Sequence, residues 1–299
     1  MATFALEGFQ GPVEVTLAPN ITKDQLLDFP AFKVWRNTLQ ANLALQYSDP
    51  KHAFHMDPYT LRSIAIQSVD WFGKRIGFLK LKAVIRNRAG KDDPKKDLPG
   101  IAFLRGGSVA MLMILRPKDS RDERLVVMTE QPRVPAGSLA FWEIPAGMLD
   151  DEGTFSGAAA KEIYEETGFQ IPQSELIDLT ALALQHSKIP ENKSLQQAMY
   201  PSPGGSDEFI PIFLWEKELD RQEIEDLRGK LMGTRREGEL ITLRVCDYED
   251  LWREGARDAK TLAAWALYEG LNRAGVMMEL RKKPRKQPSQ DGLDGTSQD

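Results

Sequence analysis

A single cysteine, Cys246, is all that this 299-residue sequence contains. One thiol rules out an internal disulfide framework and fits a reducing compartment. Cys246 lies in an apolar, strand-like run, where a small core residue is expected. An excess of charge of one sign is also lacking. The 39 basic residues face 44 acidic ones, a formal net charge of −5. That balance argues against a general nucleic-acid binder, which meets phosphate backbones with a basic surplus. No apolar run reaches the length of a membrane span. The start, MATFALEGFQGPVEV, has neither a basic n-region nor a long apolar segment, so no secretory leader is expected. No internal repeat is found. The composition is that of a soluble globular protein, expected in the cytoplasm and without a membrane or nucleic-acid partner. The length allows one large domain or two modest ones.

What is present is organised around Gly147 to Phe169, GMLDDEGTFSGAAAKEIYEETGF. Glu162, Glu165 and Glu166 sit near its end. At about 100° per residue they share an arc of roughly 100° on a helix. Phe155, Ala159 and Ile163 recur every four residues and make an adjoining apolar stripe. One side of this helix would therefore pack on a core while the neighbouring edge gathers negative charge. Clustered carboxylates repel unless a cation sits among them, and an oxygen-rich cluster suits Mg2+ or Mn2+. A solvated helix face is the bland reading of the same acidic run. Thr154 or Ser156 can N-cap the helix, and Gly168 can take the left-handed position past its end. Upstream, Ile144-Pro145-Ala146-Gly147 ends an apolar strand, and Asp150-Asp151-Glu152-Gly153 reads as a loop.

This spacing resembles the Nudix box: G, five residues, E, seven residues, then R-E-apolar-x-E-E-x-G-apolar. Gly147 opens it, and Lys161-Glu162-Ile163-Tyr164-Glu165-Glu166-Thr167-Gly168-Phe169 closes it. Two positions depart. Gly153 stands where the first Glu belongs, and Lys161 replaces the Arg. The E-x-x-E-E-x-G core is intact. The departures bear on the ion pair that usually braces the loop, for which Asp151 or Glu152 can substitute. The fold implied by the resemblance is the Nudix α/β/α sandwich with a mixed sheet.

The rest of the chain fits around that unit. Residues 1–100 read as an N-terminal region. It has a short strand at Val13 to Leu17 and a helical stretch from Thr22 to about Leu45, with a break or kink at Pro30. His52 and His55 lie in a loop, where surface or packing roles are expected. Arg62 to Phe72 and Ile76 to Ile85 read as a hairpin about Gly73-Lys74-Arg75. Its end, Val69-Asp70-Trp71-Phe72-Gly73-Lys74-Arg75, is aromatic and basic together. It suits either a base with its phosphate or an ordinary hairpin tip. Residues 101–280 read as the α/β core. Strands are expected at Val109 to Leu115, Leu125 to Thr129, Phe141 to Ile144, Ile177 to Leu184, Phe209 to Trp215 and Leu240 to Val245. Helices are expected at Leu219 to Leu231 and Ala259 to Arg273. Residues 281–299 offer almost nothing to bury and read as a disordered tail. Lys282-Lys283-Pro284-Arg285-Lys286 is a basic run suited to nuclear import.

Three further stretches bear on the substrate. In Thr129-Glu130-Gln131-Pro132-Arg133, Arg133 can fork onto phosphate oxygens or stand as a surface residue. Tyr200-Pro201-Ser202-Pro203-Gly204-Gly205-Ser206-Asp207-Glu208 fixes an unusual backbone. It can press on a nucleotide or be only a tight turn. In Arg236-Glu237-Gly238-Glu239-Leu240-Ile241, two carboxylates precede a strand. In this order around a Nudix box, the three look like the ADP-sugar pyrophosphatase branch. That branch has an E-Q-x-R run, an S-P-G loop with acidic residues, and a G-E-apolar segment supplying the catalytic glutamate. Similarity to the plant-type ADP-sugar diphosphatases extends through Val69 to Lys80, Arg105 to Val109 and Leu251-Trp252. The resemblance spans roughly Ile64 to Gly275, with Leu184 to Met199 and its His186 looking like an insertion.

A pyrophosphate resists water because its charged oxygens repel a nucleophile, and a metal ion offsets that charge and activates water. The family pattern implies metal ligation by Glu162, Glu166 and the Ala146 carbonyl, with Glu165 supporting or joining them. It also implies Glu239 or Glu237 as the base, with Glu165 and Glu166 in the catalytic centre. Arg133 would grip phosphate oxygens, and Ser202, Pro203 and Gly204 with an aromatic residue would bound the nucleotide. Arg105, Asp207 and Glu208 are expected among the other substrate-binding residues. The products expected from ADP-ribose or ADP-glucose are AMP and a sugar phosphate. A homodimer through the N-terminal strands is implied by resemblance. The alternatives are a Nudix hydrolase of another polyphosphate (a dinucleoside polyphosphate, an inositol pyrophosphate or an RNA cap) and an inactive nucleotide-binding module.

Overall fold

The structure is a computed structural model. It describes residues 1–88, 96–149, 155–185, 187, 194–233 and 240–282, and leaves undescribed the side chains of Ala158, Lys161 and Glu162. Two sheets account for the chain. The first has the order β1-β2-β3-β4-β5: β1 (Thr3–Leu6), β2 (Val13–Thr16), β3 (Thr60–Phe72), β4 (Arg75–Arg86) and β5 (Ile101–Leu104). Only β2 and β3 run parallel. Between them the chain forms α1 (Lys23–Asp28) and α2 (Pro30–Ser48). Thr22 and Gln25 close a capping box on α1. Of the break or kink expected at Pro30, the structure has the break: Pro30 opens α2, where its missing N–H costs nothing. Leu26 and Phe32 bury themselves with Ile64, Leu79 and Leu81 in the first core. The β3–β4 hairpin turns at Gly73, whose φ of +63° lies in the left-handed region. Ile101–Leu104 belongs to this first sheet, although the sequence reading puts it at the start of the α/β core.

The second sheet is mixed, with the order β10-β11-β6-β7-β13-β12. Its strands are β6 (Ser108–Pro117), β7 (Leu125–Arg133), β10 (Ile177–Asp178), β11 (Ile212–Leu219), β12 (Leu231–Met232) and β13 (Ile241–Asp247), with β8 (Ser138–Glu143) and β9 (Ala146–Met148) alongside. Only β11 and β6 run parallel. Strand β6 is apolar on both sides because it is covered on both. Val109, Met111, Met113 and Leu115 face α3 (Phe155–Thr167) with its Ala159 and Ile163. Ala110, Leu112 and Ile114 face α7 (Ala259–Arg273) with its Ala264, Tyr268 and Leu271. The alternation is the period-two pleat of a central strand. Two helical layers on one sheet are the α/β/α sandwich.

Some expected elements differ. Ile177 to Leu184 is a two-residue strand followed by α4 (Leu179–Leu184), because Asp178 N-caps a helix there through Ala181 N. Leu219 to Leu231 is mostly not helical. Strand β11 runs to Leu219, α5 spans only Arg221–Glu225, and turns follow. Ser156 lies inside α3 and so does not cap it, and Thr154 is outside the described residues. After α6 (Leu251–Glu254) and α7, helix α8 (Val276–Lys282) reaches past Leu280, and Arg281 pairs with Glu216 at 2.9 Å. The expected tail beyond Lys282 lies outside the described residues. Cys246 is half-buried at the edge of the second core, where burial pushes its thiol up to about 12. Among the described residues no helix is long and apolar enough to cross a membrane.

Candidate active site

The hairpin strands β6 and β7 pair only near their turn, at Ile114 with Val126 and Leu115 with Leu125. Beyond that they part. The segment 138–148 fills the opening, with β8 pairing to β7 and β9 to β6. Ile144 and Pro145 cross from one ladder to the other. Backbone groups at such a crossing lose their ladder partners and need others. Pro145 has no N–H, and its carbonyl accepts from Met111 N at 2.9 Å. Ile144 N donates to Thr261 Oγ1 of α7 at 3.0 Å. Ala146 N donates to Glu166 Oε2 of α3 at 2.9 Å. Helices on both faces thus fix the crossing, and the Glu166 carboxylate is brought against Ala146.

Helix periodicity then divides the acidic cluster. Glu166 is 3% exposed, whereas Glu165, one position back, is exposed. Ile163 is buried beside Ala159 in the core, so α3 presents its apolar stripe inward, with Glu166 at the edge of that stripe. Gly168 ends the helix at φ +80°, and its N–H caps Tyr164 O at 2.9 Å. Among the described residues no three His, Cys, Asp or Glu side chains converge as a metal cage. The carboxylates that α3 carries, Glu162, Glu165 and Glu166, are oxygen donors, and Glu166 is held beside Ala146 by the Ala146 N–H. An all-oxygen set fits a hard divalent cation such as Mg2+ or Mn2+.

Arg133, at the end of β7, reaches back to Glu143. Its Nε donates to Glu143 Oε1 at 2.7 Å, and Nη2 lies 2.7 Å from the same carboxylate. Glu143 is 2% exposed, and its other oxygen pairs with Lys260 Nζ. Lys260 Nζ also bonds Asp258 Oδ1 at 2.9 Å. Asp258 N-caps α7 and takes Thr261 Oγ1 at 2.5 Å. Thr261 is the acceptor for Ile144 N, so this buried network closes on the crossing segment.

Arg105 follows β5. Its Nη1 pairs with Glu208 at 2.7 Å, and Ser108 Oγ donates to the same carboxylate at 3.0 Å. The Arg105 Nε is buried and has no hydrogen-bond partner among the described residues. Asp207 accepts from Arg105 N at 2.8 Å and from Gly106 N at 3.2 Å. Burial raises the Asp207 carboxyl above its usual range against the pull of those backbone donors. Ser202, Pro203 and Gly204 are exposed in a tight turn, with Gly205 N and Ser206 N both donating to Ser202 O. This turn docks on β5 through Phe103 N to Gly205 O at 2.8 Å. The turn lines the second of two neighbouring cavities. The first, of about 520 Å³, is lined by Trp71, Lys74, Arg75, Arg105, Met148 and Phe209 among others. The second, about 540 Å³ and largely apolar, is lined by Trp35, Ile101, Tyr200, Pro203, Gly204 and Asp207 among others. Phe209 borders both.

A family model described as "NUDIX domain" matches residues 105–265, more than half of the chain. The chain belongs to the Nudix family. A curated relative, "Nudix hydrolase 14, chloroplastic" from Arabidopsis thaliana, is 37% identical over 277 residues, covering 91% of this chain and 82% of that protein. A solved structure described as "Crystal structure of ADP compounds hydrolase" aligns with 72% of this chain and 98% of its own at a TM-score of 0.42 and 16% identity. By the family match and the 37% identity the protein is a Nudix hydrolase, and its mixed sheet with helices is of the α/β class. Its box opens on β9 and closes on α3. The Gly153 and Lys161 departures, Asp151, Glu152, and the carboxylates Glu237 and Glu239 all lie outside the described residues or side chains.

The expected site residues thus fall into three places. Glu166 meets Ala146 at the crossing, while Glu165 stands exposed on the same helix. Arg133 stands at the outer end of the Glu143 network. Arg105 lines the first cavity and pairs with Glu208, while Asp207 and the Ser202 turn border the second. The Glu143–Lys260–Asp258–Thr261 network was not read from the sequence. A carboxylate inside an apolar strand and a D-x-x-T pattern opening a helix were its only local signals.

Proposed function

We propose that this Nudix hydrolase cleaves the pyrophosphate bond of an ADP-sugar, ADP-ribose or ADP-glucose, in the presence of Mg2+ or Mn2+. The observation behind this reading is the 520 Å³ cavity beside Met148, two residues past Ala146. It combines aromatic faces (Trp71, Phe209) with cations (Lys74, Arg75, Arg105) within the size range of small-ligand sites. A nucleoside diphosphate presents those two chemistries, a flat base and a compact diphosphate.

Glu162, Glu165, Glu166 and the Ala146 carbonyl would hold the divalent cation, which supplies charge neutralisation and an acidified water. The residues of the chain do the rest. Trp71 offers a face for the base, and Lys74, Arg75 and Arg105 set the diphosphate. Arg133 meets charge that grows on the phosphate oxygens as the bond breaks. Glu239, or Glu237 beside it in sequence, takes the proton from the attacking water. Water adds to phosphorus, and AMP and a sugar phosphate leave. The N-terminal sheet, with β1 at its free edge, pairs two copies into a homodimer. A solution mass of one 33.7 kDa chain would count against that pairing.

The test is product analysis on purified protein with Mg2+, ADP-ribose beside ADP-glucose, with and without EDTA. Metal-dependent AMP plus sugar phosphate is expected. No turnover of either sugar, with turnover of a dinucleoside polyphosphate, an inositol pyrophosphate or capped RNA, would replace the substrate assignment. Inertness across the whole panel would make the protein a binding module.

A further inference from the structure

We propose that Lys260 is a positioning residue for the phosphate-binding arginine: by sharing the buried Glu143 carboxylate, it keeps the Arg133 charge available to substrate. This rests on the proposed contact of Arg133 with the pyrophosphate. Four charges alternate in sign through the network, Arg133, Glu143, Lys260 and Asp258. Arg133 and Lys260 hold opposite oxygens of Glu143. The Arg133 side chain is 40% exposed, while those of Glu143 and Lys260 are 2% and 11% exposed. The outer end of the network therefore meets solvent, and the inner part is dry.

Low polarity makes each of these pairings strong and each imbalance costly. With Lys260 present, Glu143 divides its charge between two cations. The guanidinium edge formed by Nε and Nη2 is fixed on Glu143, and the Nη1 edge is turned away from it. Without Lys260, the whole Glu143 charge would bear on Arg133 alone and cancel more of its field at the exposed end. Asp258 does not undo this sharing. Its second oxygen faces Thr261 N at 3.1 Å and Thr261 Oγ1 at the start of α7, where the helix dipole is positive. The same Thr261 hydroxyl accepts Ile144 N, so the network also sets the height of the segment that delivers Ala146.

The experiment measures binding of inorganic pyrophosphate to the full chain by calorimetry, with ADP-ribose hydrolysis and thermal melting followed in parallel. The variants are Arg133→Gln, Lys260→Met, Lys260→Arg and the double variant Glu143→Gln/Lys260→Met. Arg133→Gln should weaken pyrophosphate binding at least about tenfold and Lys260→Met about five- to tenfold. Lys260→Arg should stay within about threefold of wild type. The double variant removes a buried charge pair at nearly constant volume and should fold. It should also restore affinity to within about threefold of wild type, because a neutral amide at this position no longer cancels the Arg133 charge. A purely structural Lys260 would move the melting temperature, restored in the double variant, and leave the pyrophosphate affinity of the folded protein unchanged.

The proposal is overturned if the folded double variant binds as weakly as Lys260→Met. It is overturned equally if Lys260→Met lowers only the melting temperature, or if Arg133→Gln binds pyrophosphate like wild type. If wild type hydrolyses no ADP-sugar while the pyrophosphate series behaves as expected, the substrate assignment fails and the role of Lys260 stands.

Discussion

Substituting Glu166→Gln separates the chemical use of this carboxylate from its structural use. Glu166 is 3% exposed, and its Oε2 accepts from Ala146 N at 2.9 Å. Glutamine has the same shape, and its carbonyl oxygen can keep that bond. A bond to a charged acceptor contributes roughly 1.5–3 kcal/mol and one to a neutral acceptor roughly 0.5–1.5 kcal/mol, so the exchange costs about 1 kcal/mol. Removing a buried charge offsets part of this. The net change corresponds to a melting shift of no more than about 2–4 °C for a chain of this size. The chemistry is affected differently, because an amide brings no charge to a divalent cation. The fall in kcat/KM for ADP-ribose should be at least about a hundredfold, in line with the loss of a directly engaged charged group. Product analysis and melting curves on the same preparation give both numbers. Activity within about threefold of wild type would refute the assignment of Glu166 to the cation. A melting drop of more than about 10 °C would show that the carboxylate is chiefly a brace for Ala146.

Three further outcomes are expected. Gly107→Ala should destabilise by about 1–3 kcal/mol in a melting experiment, since a Cβ there would lie 2.5 Å from the Phe209 ring and 2.7 Å from Leu149. It should also raise KM, because all three residues line the cavity beside Met148. For Asp207 the sign follows from its raised carboxyl, which burial causes. The folded state binds the proton more readily than the unfolded chain, so this stabilisation is complete below the ordinary value of 3.8 and is lost as pH rises through the folded one. Asp207→Asn should therefore melt at or above wild type at neutral pH, with the gap closing in acid. A lower melting point at neutral pH would show that the bonds from Arg105 N and Gly106 N need the charge. Thr261→Val should cost about 2–4 kcal/mol by chemical denaturation, since it orphans the buried Ile144 N and a bond to Asp258 together. A change under about 0.5 kcal/mol would mean that the crossing segment is fixed by its other contacts.

The acidic helix was legible in the sequence because its signals are local. Phe155, Ala159 and Ile163 repeat at the helical period, and Gly168 supplies the left-handed stop, so the helix and its buried face follow from the chain alone. The hairpin about Gly73, the boundary at Pro30 and helix Ala259–Arg273 were readable for the same reason. Periodicity failed where an element was short. Leu179–Leu184 has the apolar character of a strand, yet the Asp178 cap made it a helix. Leu219 to Leu231 has helical spacing, yet its first residue completes the ladder of β11 on β6.

The sequence by itself determined which groups are available: a Nudix box, carboxylates at helical spacing, a forked arginine and a near-neutral chain with one cysteine. Only the tertiary structure decided which of them meet. The parting of β6 from β7 opens a gap that Ile144 and Pro145 cross, and the amides stranded there must find partners on α3 and α7. Those partners lie far away in sequence, 117 positions for Thr261 and 20 for Glu166. Ala146 and Glu166 belong to one box, but no local pattern encodes the Thr261 pairing, because a hydrogen bond across a core depends on how two layers stack. The same stacking buries Glu143 between Arg133 and Lys260, and so makes a lysine with no motif of its own part of the site.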